Sequence, residues 1–368
     1  VVTFTKAAAA EMSQRIGAAI TKKLEQQPQN THLQNQLAYL SHADIKTIHA
    51  FCLQVIREYY DLIDLDPAAK TADPSEIKLL QRDVLEELFE ELYTEENEGF
   101  LQLLETFSED TGDRRLKELI LQVYEFAQGD PHPQKLLLDM AERFAFQQNE
   151  SLDDCCWINM IQSALYGNVE DAYYQMQKAE RLTKYDAEFT AYHDCIEKEL
   201  EPLAYLRNAL QQTGYADWQK AFSAVDFGRM PSYRGEEKEK AEQIKNLRND
   251  AKATIQKLGE TYFCYDAQTQ LRLLKGLYPV AKALSDVTIL FMERFAEAKK
   301  EKLWMDFHDY EHFALQILTE PESTKDNIIP TEAAKQMQKK YDEVMIDEYQ
   351  DSNVVQEMLL CAVSGAYL

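Results

Sequence analysis

Apolar residues recur along most of the chain with the spacing of an α-helix. The clearest stripe repeats every three or four residues and consists of Ile77, Leu80, Val84, Leu88 and Leu92. Just before it, Asp73 is suited to cap a helix, Pro74 to occupy its first turn, and Glu76 to complete a capping box. We therefore predict an amphipathic helix that begins at Pro74.

The same period predicts further helices in the middle of the chain. They cover residues 97–107, 114–128, 134–147, 169–182, 185–212, 236–258 and 265–300. Breakers rich in Gly and Pro separate some of them, at 129–133 and 228–231. The run 234–257 is rich in Glu, Lys and Gln, which would suit a coiled coil, but its heptads are not sustained, so a solvated helix of a bundle is favoured.

Short runs with strand character stand at both ends of the sequence. Residues 1–5 are β-branched or aromatic and lead directly into a helix-forming run over 6–20. Residues 344–346 form an apolar run that ends in acids and is followed by another helical pattern. A domain rarely begins in the middle of a sheet, so we expect both ends to be cuts through a larger domain. The prediction is an α/β fold that is predominantly helical, with a parallel sheet at its ends.

Composition agrees with a large, mainly helical protein. The 368 residues suffice for two or three domains, and only 11 Gly and 10 Pro favour long helices over loop-rich sheets. The six cysteines lack the two-residue spacing of zinc or iron–sulfur sites, so we expect buried or free thiols. We find no targeting segment and no run of about 18 apolar residues, and therefore expect a cytoplasmic protein without a membrane partner.

The net charge of −25 argues against a general affinity for nucleic acid, because DNA-binding proteins usually present a basic face. The charge is uneven, however. Residues 1–60 contain six Lys or Arg and four Asp or Glu, a balance of +2, which leaves −27 for residues 61–368. Any DNA contact should therefore use the first segment or a local basic pocket. The acidic remainder keeps open an alternative function, that of a helical scaffold that binds another protein.

The segment 344–351 (Val-Met-Ile-Asp-Glu-Tyr-Gln-Asp) offers the clearest chemistry. An apolar strand here would deliver two adjacent carboxylates to its carboxyl end, where parallel α/β sheets bind ligands. Phosphoryl transfer to water needs a carboxylate that holds Mg²⁺ and a second group that orients or deprotonates the water. Asp347 fits the first role and Glu348 the second. A strand end that merely meets the solvent is the alternative interpretation.

The longer string that starts at Asp347 resembles motif II of superfamily 1 helicases of the UvrD/Rep group. The resemblance implies that ATP and Mg²⁺ are the cofactors, that Asp347 and Glu348 contact them, and that Asp347 is the metal ligand. It also implies that Gln350 belongs to the catalytic site and senses the state of the nucleotide.

The opening 2–12 (Val-Thr-Phe-Thr-Lys-Ala-Ala-Ala-Ala-Glu-Met) is similar to motif Ia of the same group, which contacts single-stranded DNA. This implies DNA contacts for Thr3, Phe4, Thr5 and Lys6. Hydroxyls and helix N-terminal N–H groups suit phosphate oxygens, and an exposed Phe offers a stacking face. The group more often has Asn at the position of Lys6, so a charge replaces a directional amide contact there. A place in the core is the alternative for Phe4.

Two further segments resemble the same helicases. Residues 45–52 (Ile-Lys-Thr-Ile-His-Ala-Phe-Cys) are similar to a Thr-x-His segment that lines the DNA path, which implies DNA contacts for Thr47 and His49. A phosphate contact through the ring N–H of His49 is one interpretation, and a structural hydrogen bond is the other. Residues 305–310 (Met-Asp-Phe-His-Asp-Tyr) resemble the segment that re-enters the motor, and we expect their acids to be caps or supporting groups.

The four matches occur in the family's order, with a long helical stretch between the second and third. We therefore expect an incomplete RecA-like P-loop motor lobe, built from 1–62 and 301–368, around an inserted all-helical domain at 63–300.

The amino-acid sequences of residues 47–60 and 331–351 are most similar to those of AddA-type helicase–nuclease proteins. That implies three partners, namely single-stranded DNA, double-stranded DNA and an AddB-type subunit, in recombinational repair of double-strand breaks. A repair helicase without a nuclease is the alternative.

Several elements of the family's pattern are absent from this sequence, namely the phosphate-binding loop, the later motifs, the second motor lobe with its arginine finger, and the nuclease domain. No Gly-x-x-x-x-Gly-Lys-Thr/Ser occurs, so the loop and lysine that hold the β and γ phosphates are missing. We therefore expect this polypeptide by itself neither to hydrolyse ATP efficiently nor to unwind DNA.

Overall fold

The computed structural model describes residues 1–107, 112–147 and 150–364, and within them the two ends of the sequence meet in a small parallel sheet. Strand β1 (Val2–Thr3) pairs in parallel with β2 (Lys46–Thr47). On its other side, Val2 forms a parallel bridge with Ile346. In that bridge the Val2 N–H donates to Met345 O at 2.8 Å, and the Asp347 N–H donates to Val2 O at 3.0 Å.

The expected buried strand over 344–346 is wrong in extent and in burial. Only Ile346 forms a bridge, Met345 is 52% exposed, and Val344 and Ile346 are half-buried. Among the described residues this segment has a neighbouring strand on one side alone, at Val2. A strand of a doubly wound sheet is buried where it has neighbours on both sides and helices over both faces. The RecA-like lobe therefore stays a prediction.

Helices make up most of the rest of the described chain, which confirms the predominantly helical class. In chain order they are α1 (Lys6–Gln26), α2 (Thr31–Tyr39), α3 (Ile48–Tyr59), α4 (Pro74–Thr94), α5 (Glu98–Phe107), α6 (Arg114–Ala127), α7 (Pro133–Glu142), α8 (Ile158–Thr183), α9 (Thr190–Gln212), α10 (Tyr215–Ala224), α11 (Lys238–Tyr262), α12 (Ala267–Glu301), α13 (Phe307–Leu318), α14 (Glu332–Lys340) and α15 (Val354–Ser364). A second parallel pair joins β3 (Lys70–Thr71) to β4 (Trp304–Met305).

The helix predicted from Pro74 is confirmed in detail. Asp73 and Glu76 form the reciprocal capping box, and the apolar stripe of α4 is buried. Some boundaries differ from the prediction, since α7 ends at Glu142 and α8 already begins at Ile158. Helices α2, α10 and α14 were not predicted.

The chain divides into two compact units, of which the first comprises Val1–Asp139 and Lys282–Leu368. Its core lies where α3 packs on α13, and α13 packs on α15 and α14. Side chains that are at most 2% exposed include Ile48, Cys52, Val55, Ala314, Leu318, Val355 and Leu359. This packing fixes α3 and α15, which begin next to the small sheet, in relation to one another.

The second unit, Met140–Ala281, is a helical bundle in which α8 packs against both α9 and α11. A buried ion pair joins two of its helices: Arg248 Nε donates to Glu199 Oε2 at 2.7 Å, and Arg248 Nη2 donates to Glu199 Oε1 at 2.5 Å. The same guanidinium donates to Gly228 O at 2.6 Å, so it also holds the preceding loop. In both units, no helix of the described residues is long and apolar enough to span a lipid bilayer.

Candidate functional site

Three chain segments end side by side at the carboxyl edge of the small sheet. Thr3 lies beside Thr47 across the β1–β2 pair, and Asp347 follows the bridge that joins Ile346 to Val2. Because neighbouring parallel strands are about 4.8 Å apart, the three chain positions share one edge. Two of the segments continue directly into helices, α1 and α3, and the third continues into an acidic turn.

The acidic turn begins at Asp347, which is half-buried, and Glu348, which is exposed. Glu348 has φ 56° and ψ 45°, the left-handed conformation that residues with a side chain rarely adopt. Its carboxylate accepts a hydrogen bond from Gln350 Nε2, and the Asp351 N–H donates to Glu348 O at 2.9 Å. Strained backbone of this kind is often found at functional sites. The predicted catalytic residues are thus brought together in one short turn.

The donor chemistry of this turn fits Mg²⁺. Magnesium prefers hard oxygen ligands, and it usually binds through one or two protein carboxylates, with water and phosphate oxygens as the other ligands. Asp347 and Glu348 offer two adjacent carboxylates of this kind. No group of three or more His, Cys, Asp or Glu side chains that could hold a metal ion by themselves occurs among residues 1–107, 112–147 and 150–364.

Two helix N-termini lie at the same edge, and their cap residues differ in exposure, since Thr5 is exposed and Thr47 is buried. The Thr5 hydroxyl accepts from the Ala8 N–H at 3.1 Å and caps α1, and the Thr47 hydroxyl accepts from the Ala50 N–H at 3.3 Å and caps α3. Neither helix has an acidic residue in its first turn. Helix N-termini carry partial positive charge and favour anions such as phosphate. The exposed side chain of Lys6 adds a full charge at the start of α1.

The four residues predicted from the opening segment differ in exposure. Thr5 and Lys6 are exposed, whereas the Thr3 side chain is buried and donates to Thr5 O at 3.0 Å. The hydroxyl of Thr3 therefore shapes the turn and has no free proton for a ligand in this conformation. Phe4 is half-buried and is not a member of the buried core of its unit.

His49 makes contacts that the sequence did not indicate. Its Nε2 lies 3.2 Å from Oε1 of the buried Glu311, and its ring packs against Phe307 with centroids 4.8 Å apart. A carboxylate only accepts hydrogen bonds, so Nε2 carries a proton that faces Glu311. The N–H at Nε2 is therefore already engaged, and the phosphate contact that we expected would have to use the Nδ1 side of the ring.

Phe307 and Glu311 are functional candidates that sequence reasoning missed. Phe307 is 49% exposed at the start of α13 and packs against His49, so part of its ring is accessible to a ligand beside a predicted DNA-binding residue. The segment 305–310 was identified by its resemblance to the helicases, but only its acids were given a role. The signal that could have identified Glu311 is a charged residue inside the apolar pattern of α13.

The acids of the 305–310 segment are confirmed as helix caps. Asp306 and Asp309 form the capping box of α13, and Lys299 Nζ donates to Asp306 Oδ2 at 2.8 Å and to Asp309 Oδ1 at 2.7 Å. Burial alone would lower the pKa of Lys299, but the two carboxylates raise it above its ordinary value. This cluster supports the start of α13, which carries Phe307.

Comparison with known proteins gives a consistent result along the whole chain. The family described as UvrD/REP helicase N-terminal domain matches residues 1–367. Relatives with the name of an ATP-dependent helicase/nuclease subunit occur in Clostridioides difficile (strain 630), at 37% identity over 379 residues, and in Clostridium beijerinckii, at 37% identity over 369 residues. Another, from Clostridium perfringens (strain SM101), is 36% identical over 367 residues. These alignments cover 99% of this chain but 29% of each relative, so the chain spans under a third of their length.

Proposed function

Because this chain belongs to the UvrD/REP helicase N-terminal domain family, we propose that it forms part of the motor of an ATP-dependent DNA helicase. The observation that carries the proposal is the shared edge of the small sheet. The acidic turn after Ile346 lies at that edge, and so do the N-termini of α1 and α3, which follow β1 and β2. One edge thus combines carboxylates suited to a nucleotide-bound metal with N–H groups suited to the phosphates of DNA.

At the nucleotide end, Asp347 is the proposed Mg²⁺ ligand and Glu348 the group that orients and deprotonates the attacking water. Bound Mg²⁺ would neutralise negative charge on the nucleotide phosphates. The left-handed backbone at Glu348 and its hydrogen bond with Gln350 support this assignment, because they hold the carboxylate in one orientation. Gln350 is thereby suited to report a change at the nucleotide to the following turn.

At the DNA end, Thr5, Lys6 and Thr47 contact the phosphate backbone, and His49 contributes through Nδ1. Thr5 is exposed and accepts a backbone hydrogen bond as a helix cap, so its hydroxyl proton remains available for donation, whereas the buried Thr47 contributes by capping the N-terminus of α3. Phe4 and the exposed ring of Phe307 are candidates for base stacking. Thr3 is buried beneath this surface and stabilises it through its hydrogen bond to Thr5 O.

The finer assignment is a protein of the AddA type. It is supported by the names of the relatives, which describe a helicase and a nuclease. In this proposal the complete polypeptide acts with an AddB-type partner on DNA double-strand breaks, in recombinational repair. Residues 1–62 and 301–368 belong to a RecA-like lobe, and 63–300 belong to a helical domain inserted in it.

The test measures ATP turnover by the complete polypeptide that carries this sequence, together with its partner subunit, with and without single-stranded DNA. We expect turnover that rises on addition of DNA, and DNA binding that weakens steeply with salt, since phosphate contacts release counterions. Turnover that does not respond to DNA, combined with capture of a protein partner, would instead support the acidic scaffold. Degradation of DNA ends separates the AddA-type enzyme from a helicase without a nuclease.

A further inference from the structure

A buried carboxylate connects the two halves of the candidate site. Glu311, in the second turn of α13, is only 3% exposed. Its Oε1 accepts from Gln356 Nε2 at 2.7 Å and lies 3.2 Å from His49 Nε2, while its Oε2 accepts from Asn353 Nδ2 at 3.2 Å. His49 belongs to α3, and both amides belong to the start of α15. The carboxylate therefore contacts both helices that flank α13.

The three hydrogen bonds account for the ionised state of Glu311. Burial alone would raise its pKa, but the hydrogen bonds from His49, Gln356 and Asn353 outweigh burial and lower the pKa below its ordinary value. A buried carboxylate that loses one of its donors is costly, because no solvent replaces that donor. A change in one of these three bonds must therefore change the strength of the other two.

The amide end of this network is continuous with the acidic turn. Gln356 N–H donates to Asn353 Oδ1 at 2.8 Å, which fixes the first turn of α15. The acidic turn directly precedes this helix, and Tyr349 Oη donates to Glu357 Oε1 at 2.6 Å, which ties the turn to the same helix. A displacement of Glu348 would consequently move the two amides that hold Glu311.

The imidazole end of the network faces the solvent. The side chain of His49 is 34% exposed, and it lies against Phe307, which is itself half exposed. A phosphate that binds the exposed side of the ring reorients the imidazole and so changes the Nε2–H···Oε1 hydrogen bond, whose acceptor is an ionised carboxylate. An anion at His49 thus shifts the Glu311 carboxylate relative to its amide donors at the start of α15.

We propose that Glu311 is a positioning residue that couples occupancy of the DNA surface at His49 to the orientation of the acidic turn at Asp347–Gln350. This inference rests on the proposed function and adds the route by which DNA stimulates ATP turnover. Glu311 contacts neither ligand. It acts through His49 on one side and through Asn353 and Gln356 on the other.

The experiment is a double-mutant cycle in the complete polypeptide with its partner subunit. The variants are Glu311→Gln, His49→Ala and the double variant, and the readout is the ratio of ATP turnover with saturating single-stranded DNA to turnover without it. We expect each single substitution to lower the ratio at least about fivefold. In the double variant we expect the turnover ratio to fall no further than in the more strongly affected single variant, because both substitutions break the same chain of hydrogen bonds.

Glu199→Gln serves as the matched control, since Glu199 is an equally buried carboxylate with a cationic partner in the other unit. Its ratio should equal that of the wild type even if its stability falls. Should Glu311→Gln fail to fold by circular dichroism, Gln356→Leu removes the shorter of the two amide hydrogen bonds on the α15 side and leaves the Glu311–His49 contact in place. It should lower the ratio while the affinity for single-stranded DNA changes less than about twofold.

The possible results separate this inference from the function on which it rests. A normal ratio in Glu311→Gln, or in Gln356→Leu where that variant is needed, overturns the coupling role while the motor assignment stands. Multiplicative losses in the double variant overturn it equally, because they show two independent effects. A wild-type protein whose ATP turnover does not respond to DNA contradicts the motor assignment and the coupling role together.

Discussion

Val2 and Ile346 lie side by side in a parallel bridge, with hydrogen bonds of 2.8 and 3.0 Å on either side of it, although nearly the whole sequence separates them. The bridge brings the acidic turn to the edge at which α1 and α3 begin. Neither the segment of Val2 nor that of Ile346 could form this sheet edge alone, since each contributes only a few extended residues. The account of the site depends on this non-local contact.

Lys6→Ala should weaken binding of single-stranded DNA and reduce the steepness of its salt dependence. A lysine that neutralises one phosphate contributes about 0.7 to the slope of log affinity against log salt concentration. Fluorescence anisotropy at several salt concentrations measures that slope. Lys22→Ala is the matched control, because Lys22 is an exposed lysine near the other end of α1, and its slope should equal that of the wild type. Equal slopes for all three proteins would remove Lys6 from the DNA surface.

Phe307→Ala should lower the affinity for single-stranded DNA by roughly 1–3 kcal/mol, the range found for loss of one base–aromatic stack. The exposed ring of Phe307 lies against His49, so the substitution also removes a neighbour of the phosphate contact. Phe126→Ala changes another exposed phenylalanine, on α6, and should leave the affinity unaltered. An equal loss in the two variants would indicate a general effect rather than stacking.

Two adjacent lysines on α12 should differ sharply in their contribution to stability. Lys299 is buried between Asp306 and Asp309, so Lys299→Met leaves a buried and a half-buried carboxylate without their cation and should cost about 3–5 kcal/mol in the free energy of unfolding. The ion pair of Lys300 with Asp64 is mostly exposed, and Lys300→Met should leave the free energy of unfolding nearly unchanged. Urea denaturation compares the two, and similar midpoints would contradict the structural role of the buried cluster.

The pair formed by His308 and Glu125 should make stability depend on pH. Burial alone would lower the pKa of His308, but the hydrogen bond to Glu125 raises it above its ordinary 6.5. The same bond, with Nε2 and Oε2 3.0 Å apart, lowers the pKa of Glu125 below its ordinary 4.5. The histidine contributes stability that is complete below pH 6.5 and is lost as pH rises through its raised pKa. The glutamate contributes stability that is present above pH 4.5 and is lost as pH falls through its lowered pKa.

His308→Gln should therefore destabilise the protein more at about pH 6 than at about pH 9, with a difference below about 1 kcal/mol because both side chains are partly exposed. Urea midpoints at the two pH values measure it. In a Glu125→Gln background the difference should vanish. An effect of His308→Gln that is the same at both pH values in the original background would mean that the pair is not charged in the folded protein.

Local signals in the sequence predicted most helices correctly. Asp73, Pro74 and Glu76 lie within one turn of each other, so their capping interactions do not depend on the rest of the fold. The helices predicted over 185–212 and 265–300 contain prolines, and the structure confirms that α9 continues through Pro202 and α12 through Pro279. Packing along these long helices compensates for the hydrogen bond that each proline removes.

Non-local contacts could not be predicted in the same way. The motif residues Thr5, Thr47 and Asp347 were identified from the sequence, and the structure brings their segments to one edge. The contact of His49 with Glu311 was missed, because α3 and α13 are far apart in sequence and only tertiary packing joins them. The limited burial of Met345 was missed for the same reason, since the number of strands beside a segment is not encoded in the segment itself.

The central claim is that Glu348 activates water at the edge defined by Val2 and Ile346. The most direct test is the rate of ATP turnover by the complete polypeptide, with its partner and single-stranded DNA, in Glu348→Gln and in the control Glu343→Gln, an exposed glutamate just upstream. We expect Glu348→Gln to lower kcat by about 100-fold or more, as for loss of a general base, while nucleotide binding persists and Glu343→Gln turns over normally. Normal turnover in Glu348→Gln would contradict the account.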